Sequence, residues 1–213
     1  RGQFFSFSKS LASRQSYPSS LMGSMALLRQ MYWDVDWYSN GNVSTKDMAL
    51  EAHINNRSLP SFFEAGNKGN DLRADKIGDQ FGVNYVIIGG GDEYEAIENI
   101  KATKAKYIIP LNFPDAYDVS DPYMAGYVSL EDMRAWNQAP TNPKVLSDNG
   151  VVFSFTTHEL KKASDIKAKL TKAIKHGLSK TKALEALTTT PAQLLGESEK
   201  IGSLLPGRYA NFL

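Results

Sequence analysis

The chain has 213 residues with 24 basic and 23 acidic side chains, a formal charge of +1, which gives no electrostatic reason to expect nucleic acid or an anionic membrane as partner. Cysteine is absent, which excludes disulfides, thiolate nucleophiles and thiolate metal sites, and no apolar run is long enough to span a bilayer. The cysteine count fits a cytoplasmic or a periplasmic protein and leaves the compartment open. The sequence runs from Arg1 to Leu213 and reads as part of a longer polypeptide whose N-terminus is not represented.

In chain order, Phe4, Phe5 and Phe7 are compatible with a strand. Residues 18–38 read as one long helix with Leu21, Met25, Leu28, Tyr32 and Val35 on one stripe, and 46–55 as a second. Met22, Met25, Met31, Trp33 and Trp37 read as core or interface packing. From Leu59 onward, short apolar runs alternate with helical patterns, which predicts βα units and a mostly parallel sheet. The predicted strands are 59–65, 83–88, 107–111 and 151–155; the predicted helices are 71–81, 92–101 and 163–176. Residues 113–128 and the Pro- and Asn-rich 138–150 read as long loops. The lysines of 161–182 read as a solvated face.

The C-terminal segment carries the most specific pattern: Gly177-Leu178-Ser179, Lys182-Ala183-Leu184, Thr188-Thr189-Thr190-Pro191-Ala192, Leu195-Gly196 and Ile201-Gly202-Ser203 followed by Pro206-Gly207-Arg208. Locally, Ser179 suits a helix N-cap, and Leu178, Ala183, Leu184 and Leu187 make one apolar face. Pro191 suits a first helical turn, Gly196 a left-handed helix end, and Pro206-Gly207 a turn. In register, these positions resemble the C-terminal signature of the amidohydrolase superfamily, in its imidazolonepropionase-like branch. The family's final Asp is Asn211 here.

This resemblance implies a partial TIM (β/α)8 barrel of the metal-dependent hydrolase type, strands five to eight with their helices. Residues 1–58 would be a helical segment of the same domain, 59–207 the C-terminal half of the barrel, and 208–213 the start of a strand of an accessory β-sandwich. Active members of the family hold a divalent metal, Zn, at the C-terminal mouth, where it lowers the pKa of a bound water for hydrolysis of C–N or related bonds. The strand-five His position falls at Glu64, the strand-six His position at Gly89, and the strand-eight Asp position at Thr157. All three depart from the family pattern, no His-x-His is present, and no metal is expected in this chain. Glu64 and His158 are the remaining candidates for chemistry, expected to share one cleft with Asn112 and Thr157.

His53 reads as a packing or surface residue, and His176 as a cation at a helix C-terminus. Gly89-Gly90-Gly91 after an apolar strand could cradle phosphate, but the G-x-G-x-x-G spacing is absent. A tight βα turn, with Asp92 as N-cap and Glu95 at the third helical position, explains it better.

The resemblance implies a degenerate, structural barrel segment that works with the remainder of its polypeptide or with a second amidohydrolase barrel. The stretch Tyr17-Pro18-Ser19-Ser20-Leu21-Met22-Gly23 is similar to large two-unit bacterial amidohydrolases in which one barrel has lost its ligands. An active hydrolase with unusual ligands and a phosphate- or nucleotide-binding α/β domain are the alternatives. Open sheet edges and a patch of Phe62, Val86, Ile88, Ile109 and Phe153 predict self-association.

Overall fold

The computed structural model describes residues 1–10, 13–41 and 45–210. Five strands, β1 (Gln3–Ser6), β2 (Ser61–Glu64), β3 (Tyr85–Ile88), β4 (Lys106–Pro110) and β5 (Phe153–Thr156), form one sheet in chain order. Every neighbouring pair is parallel. Sequential order with parallel pairing requires each connection to cross back over one face, which is the β/α barrel arrangement. Where four strands are predicted from residue 59, the sheet holds a fifth from the phenylalanine-rich N-terminus, so residues 1–58 contribute a strand as well as helices.

The connections are α1 (Leu21–Ser39) and α2 (Met48–Asn55) between β1 and β2, and α3 (Lys68–Phe81) between β2 and β3. A 3-10 turn (Glu93–Ala96) and α4 (Ile97–Thr103) join β3 to β4. Between β4 and β5 lie α5 (Pro122–Ala125), α6 (Leu130–Gln138), a 3-10 turn (Ala139–Thr141) and α7 (Asn142–Asp148). After β5 come α8 (Ile166–Lys175), α9 (Lys180–Leu187) and α10 (Thr189–Leu194).

The β4–β5 connection is therefore more helical than the sequence reading has it. Ser129 caps α6 by accepting from the Asp132 amide at 3.0 Å. Pro143 falls in the first turn of α7, where proline's missing N–H costs nothing. In the C-terminal signature, Ser179 caps α9 through the Lys182 amide at 3.1 Å, and Gly196 has a φ of 71°. The buried face of α9 is Ala183 and Ala186; Leu184 and Leu187, expected on it, are exposed. The expected strand at 208–213 falls partly on residues 211–213, including Asn211, which lie outside the described residues.

Alternation along the strands divides the core in two. Phe63, Ile87, Tyr107, Ile109 and Phe153 join the large cluster under the helices, while Phe62 and Val86 lie on the opposite face with Leu194, against Ile88 and Ile108. Ile109 and Phe153 thus leave the expected open-face patch: register pairs Tyr107 with Phe153 and Ile109 with Phe155, and strand partners share a face. On the inner face, α10 places Leu194 over Phe62 and Val86, but Phe4 is 73% exposed beside Phe62, with ring centroids 5.1 Å apart. Of the α1 aromatics and methionines, Tyr32 is buried and Met25 and Met31 pack on the core. Met22, Trp33 and Trp37 are exposed.

Helix α3 approaches β3 unusually closely. A Cβ added at Gly78 would stand 2.4 Å from the Val83 carbonyl oxygen and 3.0 Å from the Tyr85 ring. The same turn is closed by the Val83 amide on the Gly78 carbonyl at 2.8 Å, with Gly82 left-handed at φ 68°. Alanine is intrinsically favoured over glycine in a helix by about 1 kcal/mol, yet backbone against backbone cannot yield. Gly78→Ala is expected to lower unfolding stability by about 1–3 kcal/mol, measured by urea denaturation; unchanged or increased stability would contradict this packing.

Candidate functional site

The sequence-predicted residues gather at the C-terminal end of the sheet but do not form one cleft. Glu64 ends β2, exposed, on the same face as Phe62. Its register partners are Ser6 and Ile88. Thr157 follows β5 and is exposed; its carbonyl accepts from the Leu160 amide at 3.1 Å. His158 is exposed, its amide donating to the Thr156 hydroxyl at 3.1 Å, with its ring 4.0 Å from Glu159. Asn112 joins this turn by donating to Glu159 at 2.6 Å. Strands β2 and β5 are three spacings apart, about 14 Å along the sheet, so Glu64 stands away from the Asn112–Glu159 pair. A cavity of about 300 Å³ between the β4 and β5 loops is lined by Asn112, Asp115, Glu159 and Lys169 among others, and not by Glu64, Thr157 or His158. Lys161 and Lys169 reach Asp115 there at 2.9 and 3.5 Å; Lys161 remains on the solvated face, and Lys169 is largely covered.

The other histidines are structural. His53 is half-buried, packed edge-on against Tyr32 at 5.6 Å, and burial with nearby Arg57 holds it below its ordinary pKa. His176 ends α8, with Nδ1 3.0 Å from the Lys172 carbonyl oxygen.

The glycine turn after β3 is shaped by close approach. A Cβ on Gly90 would lie 2.2 Å from the Gly66 carbonyl oxygen, and one on Gly89 would lie 2.0 Å from Glu93 Oε1. The Gly89 amide donates to the Ile108 carbonyl at 3.0 Å, and the Gly91 amide to Glu93 Oε1 at 3.0 Å. A carboxylate of the chain thus already takes the position in which this turn would hold an anion. Asp92 does not cap the helix that follows it: its side chain accepts from the Lys68 amide, 2.8 Å away, at the start of α3. Glu95 pairs with the Lys68 ammonium. The βα turn after β3 and the first turn of α3 are thereby tied together.

Under this turn lies a buried polar cluster that the sequence reading does not anticipate. Asp71, Glu93 and Asn142 are all essentially inaccessible. Asn142 donates to Glu93 and accepts from the Tyr94 amide at 2.9 Å. Both Asp71 oxygens lack a partner. Burial, reinforced by Glu93 and Asp92, pushes the Asp71 carboxyl up to about 9, and burial also raises Glu93 against the bonds it accepts. Glu93 has donors and Asp71 has none, so Asp71 is the group that holds its proton. No spacing marks this set, because its members come from α3, the turn after β3, and α7.

The resemblance sets Glu64, Gly89 and Thr157 at the family's ligand positions, and this set supplies one carboxylate and one hydroxyl. Gly89 offers no side chain and its Cβ space is filled by Glu93. Among the described residues no group of three or more His, Cys, Asp or Glu is arranged to hold an ion.

The Asp71 environment sets a pH dependence. Its folded pKa lies above the ordinary carboxylate value, so the folded state binds the extra proton; the contribution is intact below about pH 4 and is lost as pH rises toward 9. Asp71→Asn, neutral and of the same shape, is expected to raise stability at pH 8 by on the order of 1–3 kcal/mol and to flatten the decline between pH 5 and 9. Thermal melts across that range check it; an Asn variant less stable than the parent at pH 8 would contradict the partnerless, protonated Asp71 described here.

No protein-family model matches the sequence, and no curated protein matches it. Solved structures do. An amidohydrolase from Thermotoga maritima MSB8 superposes with a TM-score of 0.75 at 20% identity, over 98% of this chain and 55% of that one. A prolidase complexed with N-methylphosphonate-L-proline matches with a TM-score of 0.54 at 13% identity, over 98% and 59%. An uncharacterized metal-dependent hydrolase from Pyrococcus furiosus matches with 0.53 at 18%, over 76% and 34%. The chain spans about half the length of the first two. The likeness reaches beyond the last three-quarters of the sequence to include β1 and its helices, and it identifies the fold of this chain as that of the amidohydrolases.

Proposed function

We propose that this chain is the C-terminal part of an amidohydrolase barrel of the imidazolonepropionase-like branch, in which the strand-end metal positions have been lost and the remaining role is structural within a larger hydrolase. The observation that carries this reading is the Gly89–Glu93 contact. The strand-six position has lost its side chain, and a buried glutamate occupies the space one would enter. Glu64 and Thr157 at the other two positions offer one carboxylate and one hydroxyl, against the three protein ligands of a catalytic zinc site. The phosphate-binding alternative is disfavoured because Glu93 accepts from the turn's Gly91 amide.

The partner in this reading is the remainder of the same polypeptide or a second amidohydrolase barrel. What supports it is the edge strand β1, paired with β2 alone among the described strands, and the exposed Phe4 ring on the inner face. An unpaired strand edge with an apolar face is a template for association.

Two measurements test the proposal. Elemental analysis of the chain purified without chelator is expected to give far less than one zinc, manganese or iron per chain; about one tightly held ion would favour an active hydrolase using Glu64 and His158, and would sink the degenerate reading. Light scattering is expected to give a mass above the 23.6 kDa of one chain, reduced by Phe4→Glu. A monodisperse monomer at high concentration would contradict the open edge.

A further inference from the structure

The N-terminal end of the sheet, opposite the strand ends considered above, holds a cavity of about 540 Å³ bounded by α1, α2, the α2–β2 connection and the α3–β3 turn. This is within the size range of small-molecule sites, at the end of a barrel where side chains ordinarily serve stability. One part of its wall is aromatic, beside the polar Gln3, Ser58, Ser61 and Asn84. Tyr32 stacks on Phe81 with centroids 4.8 Å apart, and His53 meets Tyr32 edge-on. The Tyr32 hydroxyl bonds that of Tyr85 and is turned into the core; Tyr32 is 4% exposed, so the half-buried Phe81 is the ring open to the cavity.

Its rim carries one cation and one anion, Arg57 and Asp36, joined by a single contact of 3.3 Å between Nη2 and Oδ1. Both side chains are about half exposed. A pair of that kind is worth less than about 1 kcal/mol, so a ligand bearing both charges can replace it at little cost. A carboxylate gains a two-pronged contact with the guanidinium, and an ammonium gains Asp36. A ligand with one charge would leave the other rim group without its partner. His53 adds no second cation at neutral pH, because burial and Arg57 favour its neutral form. With one Arg balanced by one Asp, a phosphate or polyanion is poorly matched.

We propose that this cavity binds a free amino acid with an aromatic or large apolar side chain, its carboxylate on Arg57, its ammonium on Asp36 and its side chain against Phe81, Leu59 and Pro60.

The probe is L-phenylalanine, titrated into the full chain and followed by calorimetry and by the NMR resonances of the His53 ring. Saturable binding with a Kd below about 1 mM, with movement of those resonances, is expected. Arg57→Met and Asp36→Asn, both at exposed positions, should each weaken binding at least about tenfold. N-acetyl-L-phenylalanine amide, which lacks both charges, should bind weakly or not at all. Glu64→Ala at the other end of the sheet should leave the affinity unchanged. Failure to saturate by about 10 mM, equal affinity in Arg57→Met, or loss of binding in Glu64→Ala would each overturn the assignment. None of these results depends on whether the strand ends hold a metal.

Discussion

The backbone contact between Gly90 and the Gly66 carbonyl organises the middle of the molecule. At 2.2 Å from a hypothetical Cβ, it is a distance no side chain tolerates, so two consecutive βα turns are pressed together only because residue 90 is glycine. From that approach follow the reach of Asp92 to the first amide of α3 and the Lys68–Glu95 pair outside it. The placement of Glu93 beneath Gly89 and Gly91 follows as well. The triple glycine is thus a device for packing loops, and its resemblance to an anion cradle arises because an acidic side chain of the chain itself fills the cradle.

That arrangement bears on the metal chemistry that the resemblance implies for the end of the sheet. A metal site needs several donors converging on one point with open access. Here the donors near β3 are inward-facing and desolvated, while the exposed groups, Glu64 on β2 and His158 after β5, are separated by the breadth of the sheet. A desolvated acid that keeps its proton and an isolated exposed carboxylate are each tolerable alone; neither concentrates positive charge on a substrate. In the reading proposed above, what such a segment supplies is its shape: a parallel sheet covered by helices on one side and, apart from α10, partly bare on the other.

Much of this architecture is written in local sequence. The apolar runs at β2, β3, β4 and β5 announce buried parallel strands, and the capping chemistry of Ser179 and Gly196 fixes the C-terminal helices. The placement of Glu64 at a strand end follows from the same pattern. Elsewhere, tertiary contacts override the local signal. Proline and asparagine near residue 142 read as loop, yet Pro143 is harmless in a first helical turn and Asn142 is fixed by Glu93 and Tyr94. Leucines 184 and 187 read as a buried face, yet small alanines at 183 and 186 are what the space between α9 and β5 admits. The Asp71–Glu93 cluster was invisible because three separated segments supply it, and residue types alone cannot reveal which carboxylate is denied a partner.

The phenols of this protein carry one further consequence. Tyr32 and Tyr85 share a hydroxyl contact within the core, and burial raises both above the ordinary tyrosine value; Tyr107 is raised in the same way. Up to about pH 10 this costs the fold nothing, because free and folded phenols are alike protonated. Above that, every chain that opens loses protons the folded chain must retain, and each lost proton holds it open. Strong alkali therefore acts as a ratchet on this molecule, drawing it toward the unfolded ensemble through three buried phenols, while the rings of Tyr17, Tyr117, Tyr123, Tyr127 and Tyr209 face solvent in the folded chain as in the open one.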